Sequence, residues 1–327
     1  MAHQFTPVGG ELGELLQKTF TNYFRTAYIK VDGCILPENY KQFADAIENF
    51  EVRDDDIWVC SYPKTGTTWT QEMVWSIAND LNFERAKIPL PERFPYLEFS
   101  PMFEKTEIIR RNPGIVIPEY AMDSPGYASK MPSPRFIKTH LPFHLLPRQL
   151  RTGEKKPKIL YVVRNPKDTC ISFYHHCKLV EGYNGTFEEF YTLFLGESDH
   201  YGPFWMNVLG YWKNRKEHNI LWLTYEDMKQ DLCAEIWRTA IYLGNTLNKV
   251  QLSLLTEHLS FASMKANPAV NYEELIAKLH EMSQVKREGV FMRSGTTEQW
   301  KSFMAPELVE RFDEWTEKHL KGTGLAL

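Results

Sequence analysis

A chain of 327 residues, 43% apolar and 14% aromatic, is long enough to bury a large core, and its formal charge of −4 excludes the broadly basic surface that nucleic-acid binding requires. No apolar span of membrane length occurs, and the opening "MAHQFTPVGGELGELL" lacks a basic region leading into an apolar run, so a cytoplasmic protein off the membrane is expected. Five cysteines, odd in number and without a CxxC pair, exclude a disulfide framework and a structural zinc site; reduced thiols are expected.

Neither an internal repeat nor a linker rich in Pro, Gly or Ser divides the chain, which predicts one domain over residues 1–327. In chain order, four short β-rich runs each end at a loop and lead into helical periodicity: "DIWVCSY" before Pro63, "RFIKTH" before Pro142, "KILYVVR" before Pro166 and "NILWLTY" before Glu226. Strands alternating with helices predict an α/β fold with a mostly parallel central sheet flanked by helices. Ligands bind such sheets at the carboxyl ends of strands, and Lys64, His140, Arg164 and Tyr225 all stand there. Residues 89–134, rich in proline and aromatics and weakly periodic, read as long loops over a pocket or, equally well, as an irregular surface excursion.

The first run continues as "PKTGTT", which supplies Pro63 and Gly66 for a sharp turn and three threonine hydroxyls, before "TTWTQEMVWSIANDL" takes up helical spacing. A strand, a loop and a helix in this order gather free backbone N–H groups and the positive end of a helix dipole at one point, as in a phosphate-binding loop. A nucleotide kinase would carry GxxxxGK[ST], with lysine directly after the second glycine; that lysine is missing. Lys64 instead lies on the approach side of the loop, within reach of an oxygen bridging a phosphate and the group being transferred. The alternative is a surface lysine in a turn, which the three hydroxyls and the glycine disfavour.

In "RFIKTHLPFHLLP", Lys138 and His140 are two apart and so point to one side of an extended chain. The ammonium favours a neutral imidazole, which makes His140 a candidate general base, with Lys138 assisting charge build-up on the transferred group. A histidine at a strand end is more often structural; the neighbouring Lys64 loop is what favours catalysis. In "YVVRNPKDTCISFYHH", Arg164 and the helical hydroxyl of Ser172 suit a second phosphate, with pairing of Arg164 to Asp168 as the open alternative. Two anion sites on one ligand suggest a bisphosphorylated nucleotide. The adjacent residues His175, His176 and Cys177 diverge around a helix and make no metal site.

The segments "YPKTGTTW", "KTHLP", "RNPKDTCISFYHH", "LTYEDMKQD" and "FMRSGTTEQW", in this order, resemble the cytosolic sulfotransferase family from about Tyr40 to Trp315. The resemblance implies transfer of a sulfuryl group from 3′-phosphoadenosine-5′-phosphosulfate (PAPS) to a hydroxyl or amine of a small, usually apolar acceptor, leaving adenosine 3′,5′-bisphosphate (PAP), without a metal. It assigns Lys64, Thr65, Gly66, Thr67, Thr68 and Trp69 to the 5′-phosphosulfate side of the nucleotide, with Trp69 stacking on adenine. Arg164 and Ser172 would hold the 3′-phosphate, and Tyr225 would hydrogen-bond the base near Ser260, Phe261 and Met264. Phe291, Met292, Arg293 and Gly295 would close over the nucleotide. His140 matches the catalytic base, with Lys64 and Lys138 stabilising charge in an in-line displacement.

Three departures from the family pattern stand out. Ser294 replaces a lysine in the late loop, and Leu259 replaces a threonine near the nucleotide. The family's dimer-forming segment reads "KSFMAPELVE" over residues 301–310, where Pro306 lacks the donor of a paired extended chain, so a monomer or weak dimer is expected. Tyr96, Leu97, Phe143 and His176, with Lys138 and His140, fall where relatives line the acceptor pocket. Bulky aromatics there suit a phenol, while "ERFPYLEF" is similar to insect members including a retinol-dehydrating branch, which keeps an apolar alcohol such as a retinoid or steroid open. The competing readings are a magnesium- and ATP-dependent kinase and a small-ligand carrier without catalysis.

Overall fold

The computed structural model describes residues 3–22, 24–218, 220–283 and 289–327. Its centre is a four-stranded sheet in the order β5-β4-β6-β7, parallel throughout: β4 (Ile57–Cys60), β5 (Phe136–Thr139), β6 (Lys158–Val163) and β7 (Ile220–Thr224). These are the four strands expected from the sequence, and helices flank them. A second, antiparallel sheet near the N-terminus is made of β1 (Phe5–Pro7), β2 (Tyr28–Val31) and β3 (Cys34–Pro37). The apolar runs did not predict it, although Asp32 and Gly33 between β2 and β3, with φ of 47° and 93°, form the Asp-Gly turn that commonly closes a hairpin.

Alternation along each parallel strand divides the interior in two. Trp58 and Cys60 of β4, with Ile159, Tyr161 and Val163 of β6, face one apolar layer that also takes in β2, β3 and the helix Phe204–Asn214. Ile57 and Val59, with Leu160 and Val162, face the other, against the helices Thr67–Ala78 and Leu232–Leu243. A strand buried on both faces reads as a continuous apolar run, which is why these strands were legible.

The register brings the strand ends level in pairs, β4 with β5 and β6 with β7, the second pair reaching two residues further. Cys60 lies opposite both Thr139 and Tyr161, and Val163 opposite Thr224. The chain passes from β4 to β5 on one side and then to β6 on the other, so the crevice for a ligand opens at the carboxyl end of β4.

Residues 89–134 are not long loops. They fold as short helices, among them Lys105–Arg111 and Ser124–Lys130, pinned by Ser100 and Ser124, whose hydroxyls each accept the other's backbone N–H. Residues 95–97 run beside β5: the Lys138 N–H donates to the Pro95 carbonyl at 2.9 Å and the Leu97 N–H to the Lys138 carbonyl at 2.9 Å. All five cysteines are free, four of them buried and Cys233 exposed.

Candidate active site

The loop after β4 is shaped by two residues in the left-handed region, Lys64 at φ 69° and Gly66 at φ 114°. A side chain at Gly66 would place Cβ 3.0 Å from the Tyr225 ring, so any larger residue would crowd that ring as well as strain the backbone. Thr65 turns inward, its hydroxyl 2.9 Å from both the Tyr62 and the Val162 carbonyls, and so braces the loop rather than facing a ligand. The helix Thr67–Ala78 starts directly after Gly66, leaving its first N–H groups at the loop mouth.

A cavity of about 280 Å³ opens over the strand ends, lined by Lys64, Gly66, Thr67, Thr68, Trp69, Lys138, His140, Arg164, Ser172 and Tyr225. Phe261, Met264, Phe291, Met292, Arg293 and Gly295 line it as well, so most of the residues singled out from the sequence meet in one place. Gly295 is required: at φ 63° an added Cβ would lie 2.2 Å from the Phe261 ring.

Four of the singled-out residues do not line the cavity. Thr65 braces the loop, as above. Ser260 caps the helix Phe261–Ala266, its hydroxyl accepting the Ser263 N–H at 3.2 Å. Leu97 is fully buried in the core because neighbours on an extended segment face opposite ways, and Tyr96 takes the cavity side. Phe143 packs edge-on against Tyr211 and His218, centroids 5.6 and 4.9 Å away, since the chain turns into a 3₁₀ segment after Pro142.

His140 is held from three sides. Its Nδ1 lies 2.8 Å from the Ser61 carbonyl, to which it must donate, leaving Nε2 as the basic nitrogen. Its backbone N–H donates to Glu98 at 2.6 Å, and the Thr139 hydroxyl donates to the other Glu98 oxygen at 2.8 Å. The ring meets Tyr96 and Tyr201 edge-on at 5.3 and 5.6 Å. Burial, reinforced by the nearby Lys138 charge, holds the imidazole well below its ordinary pKa. Glu98 was missed in the sequence; a lone acid between apolar residues in "YLEFSP" is the signal that marks it.

The positive groups are left open to the cavity. Burial pushes Lys64 down to about 7, with Lys138 and Arg164 adding to the effect, and its ammonium rests 3.9 Å over the Phe291 ring. Lys138 is pushed down to about 8 by burial, against the pull of Glu98, and sits 4.2 Å over Tyr96. Arg164 stacks on Tyr225 at 4.3 Å and donates to the Thr296 carbonyl at 2.8 Å, while its buried Nε has no partner among the described residues. Asp168 lies 3.6 Å from Arg164, and its carboxylate chiefly accepts backbone N–H groups of Glu298 and Trp300 at 2.7 and 3.2 Å. Pairing with Asp168 therefore does not use up the guanidinium.

The two sequence departures at Ser294 and Leu259 are accommodated locally. Ser294 accepts a hydrogen bond from Gln299 at 2.6 Å. At Leu259 it is the backbone carbonyl that matters, accepting from the Trp69 indole at 2.8 Å whatever the side chain. Aromatic rings make up much of the rest of the lining, among them Phe94, Tyr96, Phe99, Tyr120, Phe173 and Tyr201.

The family pattern described as "Sulfotransferase domain" matches residues 54–324. The chain is 45% identical over 318 residues to luciferin sulfotransferase of Photinus pyralis, covering 96% of this chain and 85% of that protein. It is 33% identical over 299 residues to human sulfotransferase 1E1, covering 90% and 94%. Crystal structures of retinol dehydratase with PAP, one with retinol and one with androsterone, superpose with a TM-score of 0.88 at 30% identity over 100% of this chain. They cover 99% and 98% of those chains.

Proposed function

From the premise that the chain belongs to the sulfotransferase family and is a PAPS-dependent enzyme acting on small molecules, we propose that it sulfates a phenolic hydroxyl with His140 as the base. The observation that carries this reading is the meeting of Lys64, Lys138 and His140 at adjoining strand ends, facing one cavity. The residues present fit the nucleotide: a glycine-tightened loop at a helix start, two ammonium groups over aromatic rings that form no ion pair among the described residues, and a guanidinium nitrogen unpartnered among them. Bound there, PAPS supplies the sulfuryl group and departs as PAP.

His140 Nε2 takes the proton of the acceptor hydroxyl, the Ser61 carbonyl fixing the tautomer that makes this possible. Lys64 neutralises the oxygen that leaves, and Lys138 the charge gathering on the transferred group. The loop residues Gly66, Thr67, Thr68 and Trp69, with Arg164, Ser172, Tyr225 and the residues 291–295, position the nucleotide, so the contribution to rate is largely orientation. Tyr96, Lys138, His140 and His176 border the acceptor. Pro306 opens the helix Pro306–Leu320, and residues 300–303 form a helical turn, so the segment 301–310 offers no extended edge; a monomer or weak dimer in the cytoplasm completes the proposal. Among the described residues no helix is long and apolar enough to cross a membrane.

The aromatic walls favour a flat phenol. A second reading, an apolar alcohol, draws on the likeness to retinol dehydratase solved with retinol and with androsterone. Assays with PAPS and panels of phenols, retinoids and steroids separate the two. Phenols are expected to give the highest kcat/KM, and His140→Ala to lower kcat by about 10²–10⁴-fold while PAP binding persists. A folded His140→Ala enzyme of near-normal rate removes the base assignment.

A further inference from the structure

We infer that His200, with His176 beside it, forms a polar subsite in the acceptor cavity for a second, uncharged hydroxyl or carbonyl oxygen of the acceptor, distinct from the hydroxyl that is sulfated. The inference rests on reading this cavity as the acceptor site. His200 lines the cavity and is 1% exposed, yet neither of its ring nitrogens has a hydrogen-bond partner among the described residues. The same holds for Nδ1 of His176, whose Nε2 stands 3.6 Å from Glu181, beyond a hydrogen bond. Buried polar atoms are almost always satisfied, because an unmet one forfeits its hydration without return. Both residues line the cavity, and their three unmet nitrogens mark hydrogen bonds that a ligand completes.

The chemistry of the wall selects the group. Burial keeps both imidazoles uncharged at neutral pH, pushing His200 down to about 3 and His176 to about 4. The carboxylate of Glu181 is already taken up by Arg25 at 2.5 Å. An uncharged imidazole offers one N–H and one lone pair, which a hydroxyl matches on both counts and a carbonyl on one. A second carboxylate would be desolvated beside the Glu181 carboxylate, a like charge on the same cavity lining.

Position also constrains the occupant. The Tyr201 ring packs against both His140 and His200, its centroid 5.6 and 4.4 Å away, so those two rings lie no more than about 10 Å apart and one fused aromatic system can span base and subsite. The Tyr62 hydroxyl donates to Asp199, which ties the residue before His200 to the strand end that leads into the Lys64 loop. The subsite is thus anchored to the donor loop rather than carried on an independent segment.

The test compares kcat/KM for 2-naphthol, its 6-hydroxy derivative and its 6-carboxylate derivative in the wild type, His200→Phe and His200→Gln. The wild type is expected to prefer the diol over 2-naphthol by about tenfold or more, beyond the statistical factor for two equivalent hydroxyls, and to disfavour the carboxylate. His200→Phe should bring the diol preference down to that statistical factor, and His200→Gln, which keeps a donor and an acceptor, should retain most of it. A wild type without the preference, or a preference undiminished in His200→Phe, overturns the inference and leaves His200 a packing residue or the holder of a resident water only. If 2-naphthol itself is not sulfated, it is the phenol reading that fails. The same ratios are then read from calorimetric binding of the three compounds to the enzyme–PAP complex, where a diol preference lost in His200→Phe supports the subsite and its absence or persistence there overturns it.

Discussion

Lys64 and Lys138 each lie over an aromatic ring and form no ion pair among the described residues, an arrangement that costs the ligand-free enzyme stability and serves only when an anion arrives. For Lys64 the cost has a definite pH window. Its folded pKa of about 7 lies below the ordinary lysine value, so the folded chain binds fewer protons than the unfolded one between the two. The penalty is therefore full below about pH 7 and fades as pH rises toward the unfolded value. Lys64→Met should raise the stability of the ligand-free protein by about 1–3 kcal/mol at pH 6.5 and by much less near pH 10, while PAP affinity collapses. Denaturant titrations at the two pH values check this; a variant destabilised equally at both contradicts it. Glu98 shows the opposite strategy, a carboxyl pushed up to about 7 by burial yet kept in place by the His140 N–H and the Thr139 hydroxyl.

Strand ends and the loops that leave them decide which site residues a sequence announces. His140 and Arg164 are legible because each follows a short β-rich strand, and Lys138 because it stands two residues before His140 on the same side of an extended chain. Tyr96 and Leu97 are neighbours expected in one pocket, but pairing of residues 95–97 beside β5 separates them: Tyr96 enters the cavity and Leu97 the core. That pairing joins segments some 40 residues apart in the chain and leaves no local signature. The loop after β4 is the most constrained element, since Gly66 combines a positive φ with a ring 3.0 Å from any added Cβ. Gly66→Ala is expected to cost roughly 1–3 kcal/mol and to weaken PAP binding far more than it lowers the melting temperature. Unchanged PAP affinity in calorimetry would show that the loop tolerates the distortion.

Across the whole molecule, the parallel sheet and its ligand-bearing edge are readable from composition and periodicity, and the resemblance to sulfotransferases supplies the donor. The antiparallel N-terminal sheet is not, although its Asp-Gly turn is in view, because β1 is three residues long and remote from β2 in sequence. His200 and Tyr201 also escape: they enter the cavity through the packing of the turn before Pro203, which no motif announces. The segment 301–310, which the resemblance marks as a pairing segment, turns into a helix at Pro306, and sedimentation at micromolar concentration should find a monomer or a weakly associating species. A tight dimer through residues 301–310 would contradict that expectation. Catalysis of the proposed kind depends above all on where the nucleotide lies, and a crystal structure with PAP measures it directly. The 5′-phosphate is predicted within hydrogen-bonding distance of the backbone N–H groups of residues 65–68, near Lys64, with the 3′-phosphate on Arg164 and Ser172. PAP bound elsewhere, with the turn after Pro63 empty, would contradict it.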